Sequence, residues 1–344
     1  MVEKTGLPFP APTKAAMMII YRTHTTDPYF NLAIEDYLTA TFDGTDIFML
    51  WQNDKSVIIG KNQNAYAEVN KAFAEENGIK VVRRLTGGGA VFHDLGNVNF
   101  SFLTAAKEGT QLNYAAFCDP IIRALRKLGI DACLSGRNDI LANGLKVSGN
   151  AQCVRGGCVL HHGTLLWSAD FSDMQGVLNP DPEKLQSKGI RSVSSRVGNL
   201  RDIVPEGQVL GKNSTAKDLI AYLESNFDGD IREFSDEQNA AIAHLRDVQY
   251  GTWEWNWGKS PAYTVSHKKR FPYGSVCVSL NVAHGVIETA KFSGDFFGAQ
   301  PVAAAEEALV GCRCEYADVF AKLSDIGACI SGASPEEIAA LIVG

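Results

Sequence analysis

Arg83-Arg84-Leu85-Thr86-Gly87-Gly88-Gly89-Ala90-Val91-Phe92-His93-Asp94 is the densest group of chemically useful residues in the chain. Three consecutive glycines leave backbone N–H groups unobstructed and permit conformations that other residues resist. Such a loop can approach a phosphate closely and donate to it. The two arginines supply planar, permanently charged forks suited to phosphate or carboxylate, and Thr86 adds a hydroxyl. The run is neither a P-loop nor a dinucleotide fingerprint. It lacks the Gly-Lys-Ser/Thr ending, and its glycines lead toward a strand rather than a helix. Three glycines alone make only a flexible turn. The arginines before them and the ordered segment after them favour a ligand loop.

Three further segments carry candidate groups. In Gly144 to Ala151, Lys146 sits among small and apolar neighbours, where it is either a buried cation opposing charge at an acyl phosphate or a lysine on an edge strand. Gly136-Arg137-Asn138-Asp139 is polar and short, and reads equally as an ordinary turn. His161-His162-Gly163-Thr164 interrupts an apolar strand, where a histidine is more often a hydrogen-bonded core residue than a catalyst.

The elements that must position these groups are legible in outline. Asp27-Pro28 predicts a helix start, with an N-cap followed by proline at the first helical position. Phe48–Trp51 and Val57–Ile59 predict buried strands. Asn64 predicts the cap of a helix that ends at Gly78, and a strand follows over 79–84. Ala90–His93 and Val98–Leu103 predict a hairpin across Asp94 to Asn97. A helix opens at Asn113 and stops at Gly129. Asn143-Gly144 is a favoured tight-turn pair, followed by a strand over 159–167 and a helix over 215–227. Three tryptophans close together (Trp253, Trp255, Trp257) mark a change of texture. Beyond them lie a hairpin across Ala283 to Gly285 and two helices, the second opened by the capping box of Ser334 to Glu337. Short strands mixed with helices, without regular βαβ alternation, predict an α+β fold. The expected division is a flexible tail over 1–17, a catalytic domain over 18–245 and an accessory domain over 246–344.

Composition narrows the classes. The 344 residues carry a net charge of -7, which disfavours a nucleic-acid binder yet leaves room for a nucleotide site. No apolar stretch approaches the ~18 residues of a membrane span, and no secretory signal is evident. With eight cysteines and no such signal, free thiols in a cytoplasmic protein are expected. Cys153/Cys158 and Cys312/Cys314 lack zinc-finger spacing.

Taken together in order, these motifs resemble lipoate–protein ligase A in its long form, with a C-terminal accessory domain. The resemblance runs from about Tyr21 to the end. It rests on Asn31-Leu32-Ala33-Ile34-Glu35, the Arg83 to Asp94 loop with Leu95-Gly96-Asn97, Gly136 to Asp139, Lys146-Val147-Ser148-Gly149, His161 to Leu166, Leu178-Asn179-Pro180, Lys188-Gly189-Ile190, Ser195-Arg196-Val197 and Trp253 to Asn256.

The resemblance implies a mixed-sheet catalytic domain related to biotin protein ligases and class II synthetases. It implies activation of lipoate by ATP with Mg²⁺, then transfer to a lysine of a lipoyl domain of a 2-oxoacid dehydrogenase or of the glycine-cleavage H protein, by a monomer. Lys146 matches the essential lysine, contacting the lipoate carboxylate and the α-phosphate. Arg83, Arg84, Thr86, Gly88, Gly89, Ala90, Val91 and Phe92 match ATP or adenylate positions. Lipoate falls to Lys146, Gly87, His161 and Glu35, although Glu35 could equally anchor the first helix, and Trp51 is either a wall of the apolar tunnel or simple core packing. Asp139 is the candidate carboxylate near Mg²⁺, or else only pins its loop. Lys184, Lys188, Arg191 and Arg196 are expected to form a basic rim for an acidic acceptor.

Two other activities stay open. A transferase of the same superfamily would pass an acyl group through a cysteine thioester, for which Cys133 and Cys153 are imperfectly placed. A non-catalytic lipoate-binding protein would have no need of Lys146 or the glycine loop, and both are present.

Overall fold

Helix α1 (Pro28–Ala40) starts where the sequence asks it to. The Asp27 carboxylate accepts from the Tyr29 amide, and Pro28 occupies the first turn. One face, with Leu32, Ala33, Ile34 and Leu38, is almost wholly buried. The structure, a computed structural model, describes residues 18–106, 113–136, 138–178, 197–261, 263–296 and 299–344. The expected tail over 1–17, Arg137 and the rim of Lys184, Lys188, Arg191 and Arg196 lie outside the described residues.

The strands are β1 (Met18–Arg22), β2 (Ile47–Trp51), β3 (Ser56–Ile59), β4 (Lys80–Arg83), β5 (Val91–His93), β6 (Asn97–Ala105), β7 (Ala132–Ser135), β8 (Asp139–Ala142), β9 (Leu145–Arg155), β10 (Cys158–Leu166), β11 (Gly229–Glu233), β12 (Tyr263–Phe271), β13 (Gly274–Ala283) and β14 (Val286–Gly294). Eight form one sheet in the order β11-β1-β2-β6-β10-β9-β8-β7. Its β1 pairs are parallel and the pairs from β2 onward are antiparallel, so the sheet is mixed and the fold is α+β. One face packs under the helices Tyr114–Lys127 and Ala216–Glu224, through Phe48, Phe100, Val147, Leu165 and Leu219. The other face packs under α1 through Met49, Trp51, Leu103 and Leu160.

The second sheet, β4-β3-β5, corrects one expectation: β5 and β6 are not a hairpin. Between β5 and β6, as between β2 and β3, the chain leaves one sheet for the other. At the second crossing the Asp94 carboxylate takes the Gly96 amide at 2.8 Å and the Asp170 amide at 2.7 Å. A sequence pattern shows alternation within strands but not which sheet receives them. The helix expected from Asn64 to Gly78 is also two short ones, Ala65–Glu68 and Lys71–Glu76, because Asn70 caps the second.

Residues 263–344 carry their own core, with the antiparallel β12-β13-β14 sheet packed on Leu309, Val319, Ile326 and Ile338. β12, unnoticed in the sequence, is an edge strand with several exposed positions. Asn143 and His284 take φ 49° and 51°, each followed by a positive-φ glycine, and they turn the two expected hairpins. The connector before the third sheet lies on the first domain, where Tyr250 is buried and its hydroxyl reaches Asp36 at 3.1 Å. Among the described residues no helix is long and apolar enough to cross a membrane.

Candidate active site

A cavity of about 180 Å³ opens where the two sheets of the first domain meet. Its floor is set by strand register. Trp51 pairs with Asn99, and Asn99 with Thr164. One step along, Ser101 pairs with His162, and His162 with Ala151. Side chains alternate with period two, so both rows face the same side. His161 must then face the other side. It is fully buried there, stacked on Phe117 at 4.9 Å, with Nδ1 2.8 Å from Gln152 Nε2. Expected at the lipoate, His161 instead belongs to the opposite core, and His162 lines the cavity. Strand alternation decides which histidine enters, and the sequence shows only an adjacent pair.

Lys146 reaches the cavity through an irregularity. Ile140 pairs with Ser148, but Leu141 pairs with Lys146, so the register skips Val147. A bulge of this kind re-aims a side chain. Val147 is buried in the helix-side core while Lys146 lines the cavity beside Gly149. The Lys146 ammonium lies 2.8 Å from the Asp139 carboxylate, both partly exposed.

The roof is the glycine loop between β4 and β5. Arg84 shapes it from inside. Its Nη2 donates to the Gly87 and Gly89 carbonyls at 2.7 and 2.9 Å, its Nη1 to the Ile58 carbonyl at 2.9 Å, and its Nε to the Thr86 hydroxyl at 3.0 Å. With the carbonyls drawn inward, the Gly87, Gly88 and Gly89 amides have no acceptor among the described residues, leaving donors for an anionic ligand. Gly88 holds φ +100°, and a Cβ there would meet Arg84 Nη2 at 2.8 Å. Gly88, Gly89, Ala90, Val91 and Arg84 line the cavity. Phe92 points the other way, into the cluster of Val57, Ile59 and Val177.

Arg83 is not brought to the cavity. It is fully buried, and its guanidinium donates to carbonyls of Gly60, Lys61, Gln63, Trp255 and Asn256 at 2.7–3.1 Å. Adjacent strand residues face opposite sides, so only one of Arg83 and Arg84 can point inward. Burial lowers both guanidinium pKa values to about 10, with nearby Glu35 opposing the shift at Arg84.

Behind the floor, Glu35 is 1% exposed. Its carboxylate accepts from Ser101 Oγ at 2.6 Å and lies 3.0 Å from His162 Nδ1. Ser101 also accepts from Trp51 Nε1 at 2.8 Å. His93 and Asn99 line the cavity with buried nitrogens, His93 Nε2 and Asn99 Nδ2, that have no hydrogen-bond partner among the described residues. Burial, then the Arg84 charge, pushes the His93 pKa down to about 3, so the ring is neutral. Sequence reasoning missed Asn99, and it assigned no role to His93, Asn150 or His162 although each lies in a segment it singled out, since polar residues in buried strands carry no distinguishing spacing.

No cluster of three His, Cys, Asp or Glu side chains suited to a metal occurs among the described residues. Asp139 is a single hard oxygen donor beside Lys146, which suits Mg²⁺ held mainly by phosphate oxygens rather than by a protein cage. Cys133 is exposed on β7 and pairs with Leu141, which pairs with Lys146. It lies two strands from the lysine, about 10 Å at ~4.8 Å per strand. Cys153 is seven residues beyond Lys146 on β9, roughly 23 Å along the strand. Neither cysteine reaches the cavity lining.

Known proteins share this architecture. The profile of the family described as lipoyl protein ligase A/B catalytic domain matches residues 27–228, and that described as bacterial lipoate protein ligase C-terminus matches residues 260–342. The lipoate-protein ligase LplJ of Bacillus subtilis (strain 168) is 40% identical over 302 residues, covering 87% of this chain and 91% of that protein. A bi-partite lipoate protein ligase of Thermoplasma acidophilum, solved in a study of that ligase and its E2 lipoyl domain, is similar at a TM-score of 0.60 and 28% identity, covering 71% of this chain and 97% of that one. A lipoate-protein ligase A bound with ATP is similar at a TM-score of 0.58 and 26% identity, covering 71% of this chain and 99% of that one.

Proposed function

The chain belongs to the lipoate–protein ligase family, and on that premise we propose that its cavity joins lipoate to ATP and passes the lipoyl group to a lysine of a lipoyl domain. One observation carries the reading. Lys146, the roof of free glycine amides and the apolar wall of Leu32, Trp51 and Ile58 meet in one cavity.

In the first step a lipoate carboxylate oxygen attacks the α-phosphorus and pyrophosphate leaves. Two anions must approach, so the site has to offer fixed positive charge and backbone donors rather than a strong base. Lys146 and the loop amides are so arranged, and each donor aimed at developing charge contributes about 3 kcal/mol. The cavity, at about 180 Å³, is below the ~300 Å³ of common ligand sites. It suits a slim acyl chain, with the nucleotide seated across its mouth at the glycine loop. Mg²⁺ beside Asp139 would neutralise phosphate charge. In the second step the acceptor lysine attacks the acyl carbonyl, AMP leaves, and the nitrogen loses a proton.

We assign 18–245 to catalysis and 246–344 to the accessory unit, with 246–260 as a strap seated on the first. The acceptor is a lipoyl domain of a 2-oxoacid dehydrogenase or the H protein, and the enzyme acts as a cytoplasmic monomer. Pyrophosphate release with and without lipoate, for wild type and Lys146→Ala, tests the reading. Lipoate-dependent release lost in the variant is expected. Release that ignores lipoate would remove the assignment.

A further inference from the structure

A continuous chain of hydrogen bonds runs inside the cavity wall from the apolar side to the glycine loop. Trp51 Nε1 donates to Ser101 Oγ at 2.8 Å, and Ser101 to Glu35 at 2.6 Å. From the other end, Arg84 Nε donates to Thr86 Oγ1 at 3.0 Å, and Thr86 Oγ1 lies 2.8 Å from His162 Nε2. His162 Nδ1 lies 3.0 Å from both Glu35 oxygens.

The direction of every proton in this chain follows from its ends. Arginine can only donate, so Thr86 accepts from Arg84. The Thr86 hydrogen has no other acceptor among the described residues. It must therefore go to His162 Nε2, because a buried hydroxyl left without a partner is costly. His162 is then neutral, with its proton on Nδ1, and donates to Glu35. All the hydrogens point toward Glu35 from both sides.

Arg84 and Glu35 are 5% and 1% exposed, and they do not touch. The other Arg84 contacts are carbonyls. A buried charge without a compensating partner is strongly unfavourable. We propose that Glu35 and His162 are positioning residues of the glycine loop. Glu35 supplies the buried counter-charge of Arg84, and His162 relays it through Thr86, so that Arg84 can hold the Gly87 and Gly89 carbonyls inward. Helix α1 and strand β10 thereby govern a loop neither belongs to, and Glu35 affects the nucleotide end while lying behind the acyl wall. That the loop's ligand is a nucleotide rests on the ligase reading; the control of the loop itself does not.

The test compares Glu35→Gln, Thr86→Val, Thr86→Ser, His162→Leu and His162→Gln. Readouts are KM for ATP, KM for lipoate, and hydrogen exchange of the Gly87 to Ala90 amides. Glu35→Gln, Thr86→Val and His162→Leu are expected to raise KM for ATP about 10- to 100-fold, the weight of one hydrogen bond to a charged group. For Glu35→Gln and Thr86→Val, whose side chains do not line the cavity, KM for lipoate should change less than about threefold, and in all three variants loop amides should exchange faster. Thr86→Ser keeps the hydroxyl, and the amide of His162→Gln can donate to Glu35 while accepting from Thr86. Both should restore the ATP value. Combining Glu35→Gln with Thr86→Val should cost little more than either alone. A raised KM for lipoate with ATP unaffected, or loop exchange equal to wild type, overturns the proposal. If Glu35→Gln does not fold, the Thr86 and His162 pairs interrogate the same chain. If wild type releases no pyrophosphate, the ligase reading fails, and the exchange comparison still decides the control of the loop.

Discussion

Arg83→Met should destabilise the protein measurably while sparing nucleotide affinity. Arg83 bridges two segments distant in sequence. On one side its Nη1 holds the Gly60, Lys61 and Gln63 carbonyls at 3.0, 3.1 and 2.7 Å. On the other its Nε and Nη2 hold the Trp255 and Asn256 carbonyls at 3.1 and 2.9 Å. The strap answers in kind, since Trp255 Nε1 donates to the Arg83 carbonyl and Asn256 Oδ1 accepts from the Arg83 amide, at 2.8 and 2.9 Å. Methionine fills similar volume but offers no donor. The carbonyls of Lys61 and Gln63 are partly buried and can turn to water, and that of Gly60 keeps the Gln63 amide at 3.1 Å, whereas those of Trp255 and Asn256 are buried with no other donor among the described residues. Two orphaned acceptors at ~1–3 kcal/mol each cost about 2–6 kcal/mol. Relief from burying a guanidinium offsets part of this. A net loss of about 2 kcal/mol follows, or ~4–8 °C at the ~2–4 °C per kcal/mol of a domain this size. Thermal melting measures it, and hydrogen exchange over 250–260 locates it. A fall under about 2 °C accompanied by a raised KM for ATP would refute the reasoning and return Arg83 to the nucleotide.

Three more expectations follow. Gly88→Ala places a Cβ 2.8 Å from Arg84 Nη2 at φ +100°; the loop must shift, and pyrophosphate release should fall about tenfold or more, whereas unchanged kinetics would show that the loop geometry is irrelevant. Cys133→Ser should retain full ATP-dependent activity, since that thiol lies two strands from Lys146; loss of acyl transfer would revive a thioester route. Burial depresses the His161 pKa to about 3. An unfolded histidine titrates near 6.5, so between these values the unfolded chain binds protons that the folded one refuses. Stability should therefore fall as pH drops from about 6.5 toward 3, by up to ~1.4 kcal/mol per pH unit for this histidine. His161→Phe should flatten denaturation midpoints across that window, and an unaltered slope would contradict the burial argument.

The sequence by itself determined the local elements and the chemical inventory. Asp27-Pro28, Asn143-Gly144 and the Ser334 to Glu337 capping box act within a few residues, so their structures were legible without the fold. The glycine loop and Lys146 were legible as candidates because backbone freedom and an isolated cation are written in residue type. What only the tertiary structure decided was direction and company. Strand alternation sends His162 inward and His161 outward, and Arg84 inward and Arg83 outward. A single skipped residue at Val147 turns Lys146 to the cavity. The crossings between β2 and β3, and between β5 and β6, send strands that are neighbours in sequence into two different sheets. Glu35 meets His162, 127 positions away, only because α1 lies on the face of β10. Each of these is fixed by long-range packing and register, which depend on which surfaces meet in the folded chain and leave no mark on the spacing of neighbouring residues.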